Sequence, residues 1–298
     1  MFEQISENKF KSGLLVFCFI VLIFMLVWVL QYLMGMGTAG FILALAIASL
    51  SAFISYWASD KIVLTISRAR PASKEEYPYL YNVVEGLAIA AGNPVPKCYV
   101  IDDTAPNAFA TGRNPKNSVI CVTTGLLQKL NRVELEGVIG HEMSHIKNYD
   151  ILLQTLTVVM IGVVALLSDW ILRGVFWGGG RRRSSSRGKG NSLVLVLLAV
   201  GLVLAILSPI ISQLIRLAIS RRREFLADAS SAQLTRYPAG LASALRKLSS
   251  DTEPLEAANK ATAHLYIVNP LKNLKGFVNK LFSTHPPIED RIAALEKM

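Results

Sequence analysis

Between Lys11 and Asp60 the chain carries no charged residue over residues 12–59, a run of 48. A helix rises about 1.5 Å per residue and needs roughly 20 residues to cross the hydrocarbon layer. The run therefore holds two spans joined by a tight turn, with the break at MGMGTAG, residues 34–40. A cleaved leader fits poorly, because the apolar core is longer than a signal-peptide h-region and passes directly into a second span. The run reads as a retained anchor, around which the rest of the fold must be built.

Hydrophobic residues make up 52% of the chain, above ordinary soluble composition. A second apolar pair contributes: residues 151–168 are uncharged up to Asp169 and Arg173, and residues 190–215 are uncharged up to Arg216. The stretch between them, GGGRRRSSSRGKG at 178–190, is basic, low in complexity and flexible in character. The expectation is an α+β membrane protein with four hydrophobic helices. Residues 1–59 hold two spans, 60–150 the first part of a catalytic domain, 151–219 two further membrane helices, and 220–298 its second part.

Charge orients this arrangement. With two leading spans, residues 1–11 and 60–150 share a side. Near the membrane there lie Lys9, Lys11, Lys61, Arg68, Arg70, Lys74, Lys147, Arg216, Arg221, Arg222 and Arg223, against five basic residues in the 178–190 loop and none in the first turn. The positive-inside rule makes that side cytoplasmic. The loop, with Arg181, Arg182, Arg183, Arg187 and Lys189, argues the other way. Either the majority prevails, or the later pair dips into the membrane without crossing. Both solutions return residue 224 to the side of residue 141.

The net charge of +10 does not indicate nucleic acid, because the basic residues cluster at span ends and in one loop, where anionic lipid headgroups explain them. Cys18, Cys98 and Cys121 show no CxxC spacing and are odd in number, so neither a disulfide framework nor a zinc ribbon is indicated.

Along the soluble parts, YPYLYNVVEGLAIAAG (77–92) has helical spacing and stops at Gly92 and Asn93 before two prolines. KCYVIDD, NAFATGR and NSVICVT read as strands, the last two joined by a turn at NPK, which gives a small sheet of about three strands. GLLQKLNRVELEGVIGHEMSHIKN returns to helical spacing. Further helices are expected at RRREFLADASSAQL, PAGLASALRKLSS and IEDRIAALEKM.

Two of the four histidines, His141 and His145, fall four apart in HEMSH. On a helix they share a face and can direct ring nitrogens at one ion about 2.0–2.1 Å away. Glu142 then lies beside the attacking water, where a carboxylate can take its proton. The bland alternative, two surface histidines on one helix, predicts nothing else in the chain. The chemical reading requires a third ligand. Asn148 and Ile151 stand where a metzincin has Gly and His, so that class is excluded. Glu224 and Asp228 in EFLAD, four apart on another helix, provide a carboxylate ligand and an acceptor for the second N–H of a ligand histidine. Asp150 competes for the acceptor role, and His264 is the lesser alternative as ligand. An oxyanion donor would come from His285 or Arg291, between which spacing does not decide. His145 precedes Ile151 by six residues and Glu224 follows Ile215 by nine. On straight helices both ligands would lie roughly 9–14 Å beyond a span end, with the ligand helices running directly into the membrane.

With NAFATG, HEMSHIKNYD, EFLAD and STHPPIEDRI in that order, and hydrophobic pairs before and between them, the chain resembles the HtpX family of membrane zinc metallopeptidases, gluzincins related to the CAAX prenyl proteases. The resemblance covers nearly the whole length. It implies a mostly helical zincin domain on the cytoplasmic side, one Zn2+ on His141, His145 and Glu224, and Glu142 as base. It further implies that Asn107 and the strand through Ala108, Phe109 and Gly112 line the substrate backbone, with His285 and Arg291 near the scissile carbonyl. By the same resemblance the expected substrates are misfolded or damaged membrane proteins of the bacterial inner membrane, in cooperation with an ATP-dependent membrane protease and as part of a stress response. Two alternatives remain: a narrow peptidase of CAAX type, and a membrane scaffold that binds metal without turnover. The 178–190 loop departs from the family pattern.

Overall fold

The uncharged run folds into two long helices, α1 (Phe2–Met34) and α2 (Gly37–Trp57), packed on one another. Within them Ile5–Met25 and Thr38–Trp57 are long and apolar enough to cross a membrane. Their outer faces expose large apolar side chains, among them Phe17, Ile42 and Phe53, as a lipid-facing surface requires. The computed structural model of the chain describes residues 2–34, 37–163, 221–258, 262–270 and 286–298. The 178–190 loop, the fourth hydrophobic segment and His285 lie outside the described residues.

After α3 (Ser59–Ile66), the chain forms β1 (Arg70–Pro71), α4 (Pro78–Ala91), β2 (Lys97–Ile101), β3 (Ala108–Asn114) and β4 (Asn117–Thr123). The sheet has four strands in the order β1-β2-β4-β3, one more than expected, because the two residues of β1 add an antiparallel edge to β2. β3 and β4 form the expected hairpin, while β2 and β4 run parallel. Gly112 sits at the register shift of that hairpin with φ +137°, and a Cβ there would meet the Asn117 carbonyl oxygen at 2.2 Å. Only glycine fits this bulge.

Beyond α5 (Thr124–Lys129) comes α6 (Arg132–Lys147), the helix that carries HEMSH. Its start is fixed by a capping box: Asn131 Oδ1 accepts from the Glu134 amide at 3.0 Å, and Glu134 Oε2 accepts from the Asn131 amide at 2.9 Å. Glu134 also accepts from Lys247 (2.7 Å) and Ser243 (2.7 Å) on α9 (Pro238–Ser250), which ties the helix start to a second layer. α6 is buried on nearly all sides from Gly137 to Ile146. One core joins Leu80 and Val84 of α4, Ile120 and Val122 of β4, Leu135 and Ile139 of α6, Leu245 of α9 and Leu295 of α10 (Ile288–Leu295).

α6 does not continue straight into the next apolar segment. It stops at Lys147, Tyr149 adopts φ 62°, and the following helix α7 (Asp150–Val163) leaves at 83°. A non-glycine residue in the left-handed region turns the chain where an α-helical one would have carried it on. The straight-helix expectation for His145 is corrected accordingly. α7 then packs Leu152, Leu156 and Met160 against Phe19 and Ile23 of α1 and Ala48 of α2, so the bend brings the start of the third apolar segment onto the first two helices.

Candidate metal centre

α8 (Arg221–Thr235) lies across α6 and presents Glu224 to the two histidines. Two glycines permit the close packing of α6. A Cβ on Gly137 would lie 2.7 Å from the Leu241 backbone nitrogen of α9, and one on Gly140 would lie 2.8 Å from Ser231 Oγ of α8. Ser231 in turn donates to the Gly137 carbonyl at 2.6 Å. The α6–α8 crossing is thereby fixed one turn from the ligands.

The Nε2 atoms of His141 and His145 are 3.1 Å apart, and Glu224 oxygens lie 3.6 Å from each of them. All three side chains are buried. Ligand atoms placed tetrahedrally about 2.0–2.1 Å from one zinc ion are separated by roughly 3.3 Å, so the triangle matches the ion. Each histidine also has its Nδ1 engaged: His141 with Asp228 Oδ1 at 2.9 Å, His145 with Asp150 Oδ2 at 2.9 Å. Donation from Nδ1 fixes the tautomer and leaves both Nε2 lone pairs pointing into one space, which favours a cation there. Asp228 and Asp150, alternatives in the sequence reading, each serve one histidine.

Electrostatics follow the same lines. Burial pushes the His141 imidazole down, but hydrogen bonds to Asp228 and Glu224 outweigh it and hold the metal-free ring up at about 9. His145 is raised in the same sense, with Asp150 and Glu224 overcoming burial. Burial would raise the Asp228 carboxyl, yet the Arg291 guanidinium holds it below the usual carboxylate range. Glu142, next in the chain to His141, is buried.

Arg291 lies at the centre, against Asp228. It is fully buried, its Nε and Nη2 donate to the two oxygens of Asp228, and Nη1 donates to the Ile267 carbonyl at 3.1 Å. Its Nη2 lies 3.4 Å from His141 Nδ1, where the fork closes on the carboxylate. Asn107 is buried too, with Nδ2 donating to the Val268 carbonyl at 2.9 Å. Phe109 packs its ring against Tyr266, centroids 5.0 Å apart, inside the core. Along the outer edge of β3 the Ala108 carbonyl accepts from the Ile267 amide at 3.0 Å, and the Gly112 amide donates to Thr155 Oγ1 at 3.2 Å.

Sequence reasoning missed Asn8, which lies on α1 and donates to Asp150 Oδ1 at 2.7 Å, and Arg223, which donates to the same oxygen at 3.1 Å. In the sequence Arg223 reads only as one of a juxtamembrane basic cluster. Asn8 carried no signal of its own, since it stands among Glu7, Lys9 and Lys11, before the uncharged run begins.

Residues 74–298 match peptidase family M48. The chain is 49% identical over 297 residues to a Protease HtpX homolog of Dictyoglomus turgidum, covering 100% of this chain and 94% of that protein. It is 47% identical over 299 residues to a Protease HtpX homolog of Caldanaerobacter subterraneus subsp. tengcongensis, covering 100% and 98% respectively. Among solved structures, the crystal structure of S. mikatae Ste24p aligns with TM-score 0.50 at 17% identity, over 99% of this chain and 67% of that one. That likeness concerns the fold.

Proposed function

This chain belongs to peptidase family M48 and is a membrane metalloprotease, and on that premise we propose that it is a zinc endopeptidase cutting misfolded or damaged membrane proteins near the cytoplasmic face of a bacterial inner membrane. The observation that carries the reading is the triangle of His141, His145 and Glu224, whose helix α6 turns directly into α7, the helix that packs on the apolar pair α1 and α2. His141 and His145 of α6 and Glu224 of α8 would hold the ion. Bound zinc supplies Lewis acidity toward a carbonyl oxygen and lowers the pKa of the attacking water.

The remaining work belongs to side chains. Glu142 takes the proton of the attacking water and delivers it to the departing amine. Asp228 and Asp150 hold the two imidazoles in the tautomer that leaves Nε2 free for the ion. Arg291 keeps Asp228 charged and in place. Extended substrate backbone is received along β3, where alternation turns the Ala110 N–H and C=O to the same edge as Ala108 and Gly112. His285 remains a candidate oxyanion donor.

Support for the protease reading comes from the names of the relatives, which are Protease HtpX homologs. The test is Glu142→Gln in the full-length protein. It should lower cleavage of a model membrane substrate by 100-fold or more while retaining zinc, and Glu224→Ala should lose both. Undiminished cleavage by Glu142→Gln with zinc retained would reject the mechanism. Preferential cleavage of prenylated peptides over misfolded membrane proteins would favour the narrow peptidase.

A further inference from the structure

The amino-terminal helix reaches the metal ligands through one residue. Asn8 is 1% exposed, although its neighbours Glu7 and Lys9 face outward. Its amide satisfies three groups from two other parts of the chain. Nδ2 donates to the Asn148 carbonyl at 2.8 Å and to Asp150 Oδ1 at 2.7 Å, and Oδ1 accepts from Arg223 Nη1. Asp150 uses its other oxygen to accept from His145 Nδ1 at 2.9 Å. Arg223 donates to Asp150 at 3.1 Å and immediately precedes Glu224 in α8. One turn of α1 therefore touches the end of α6, the start of α7 and the residue beside the third ligand.

We propose that Asn8 is a positioning residue for the zinc ligand His145, acting through Asp150, so that the seating of α1 against the α6–α7 bend sets the affinity of the centre for metal. The proposal rests on the zinc-site reading above and adds to it a role for the membrane anchor. A carboxylate that orients a ligand histidine does so only if its own direction is fixed. Asp150 is fixed by three donors: Asn8 Nδ2, Arg223 Nη1 and His145 itself. An amide suits this place because it offers donors on one side and an acceptor on the other without adding charge beside Arg223. An apolar side chain of similar size would leave the Asn148 carbonyl and Asp150 Oδ1 each a donor short.

The bend is held from the same turn. The Lys9 ammonium lies 4.4 Å from the centroid of the Tyr149 ring, and Tyr149 is the residue whose φ of 62° turns the chain. Asn8 also continues a seam on α1. Ser12, Phe19 and Ile23 are buried on that helix, and Phe19 and Ile23 pack on Leu152, Leu156 and Met160 of α7. A shift of α1 along this seam carries Asn8 with it, and the change passes through Asp150 to His145.

A merely structural Asn8 would hold α1 to the catalytic unit and alter stability without altering metal affinity, which gives the experiment its arms. Zinc affinity of the full-length protein in detergent or nanodiscs is measured by competition with a chelator for wild type, Asn8→Leu and Glu7→Gln. Asn8→Leu should bind zinc about tenfold more weakly, at the low end of the 10- to 100-fold range for groups that orient a metal ligand. Excess zinc should restore its cleavage activity, and Glu7→Gln, on the exposed face, should match wild type. A second measurement needs no variant: removing zinc from wild type should increase amide exchange at residues 5–11 together with 146–150, since coupling between two sites is reciprocal. Wild-type affinity in Asn8→Leu, or exchange at 5–11 indifferent to zinc, would overturn the proposal. If wild type itself bound no zinc, the zinc-endopeptidase reading would fail instead.

Discussion

Arg291 closes its guanidinium fork on Asp228, Nε to Oδ2 at 2.8 Å and Nη2 to Oδ1 at 2.7 Å, while the same Oδ1 lies 2.9 Å from His141 Nδ1. A planar fork matches a carboxylate in a way that an ammonium does not. Arg291→Lys should therefore lower zinc affinity about 10- to 100-fold while keeping the charge. Arg291→Met, which leaves Asp228 buried without its counter-ion, should destabilise the fold by about 3–5 kcal/mol. Chelator competition and thermal melting separate the two effects. Equal zinc affinity in wild type and Arg291→Lys would mean the fork does not orient His141.

Protons and zinc compete for the same ring nitrogens. The metal-free His141 pKa is raised from 6.5 to about 9 by Asp228 and Glu224 against the opposing effect of burial. A raised folded-state pKa stabilises the metal-free fold fully below pH 6.5, and that stability is lost as pH rises through 9. Zinc must displace this proton, so apparent zinc affinity should rise about tenfold from pH 7 to pH 8 for His141 alone. Titrations in zinc buffers at the two pH values check it, with a flat profile as the contrary result.

Gly137 and Gly86 should respond oppositely to alanine. A Cβ at Gly137 meets the backbone nitrogen and Cα of Leu241 at 2.7 and 2.8 Å, atoms that cannot rotate away, whereas nothing lies within 4 Å of one at Gly86. Gly137→Ala should cost about 1–3 kcal/mol as α6 and α9 are forced apart. Gly86→Ala, on an exposed position of α4, should stabilise by roughly 0.5–1 kcal/mol. Melting temperatures that move in the same direction would contradict the packing argument.

α6 turns at Tyr149 into a helix packed on α1 and α2, so His145 stands five residues before a helix seated on the apolar pair. Cleavage should favour short loops and juxtamembrane segments of a membrane substrate over distant soluble tails. A substrate carrying one loop site and one long-tail site of identical sequence tests this. Equal rates at both in nanodiscs would count against a membrane-held centre.

The elements with local signals were legible in the chain: the two long apolar helices, the hairpin across NPK, the capped helix of HEMSH and the pairing of EFLAD with it. Each rests on periodicity, turn residues or a four-residue spacing that one segment contains by itself. What could not be read depended on distant partners. The strand Arg70–Pro71 is too short to show a period and exists because β2 offers an edge. The bend at Tyr149 has no glycine or proline to announce it, since the residues packed against it come from α1. The engagement of Arg291 with Asp228 could not be read either, because a motif gives a residue's neighbourhood but not the direction of its side chain.

The link between His141 and Arg291 also governs when the centre is completed. The two residues lie 150 positions apart. At a synthesis rate of about 5–20 residues per second, roughly 8–30 s separate their appearance on a growing chain. Through that interval α1 and α2 already exist and His141 still lacks the arginine that steadies its partner carboxylate. The anchor is laid down first, and the arginine that steadies the centre is added last.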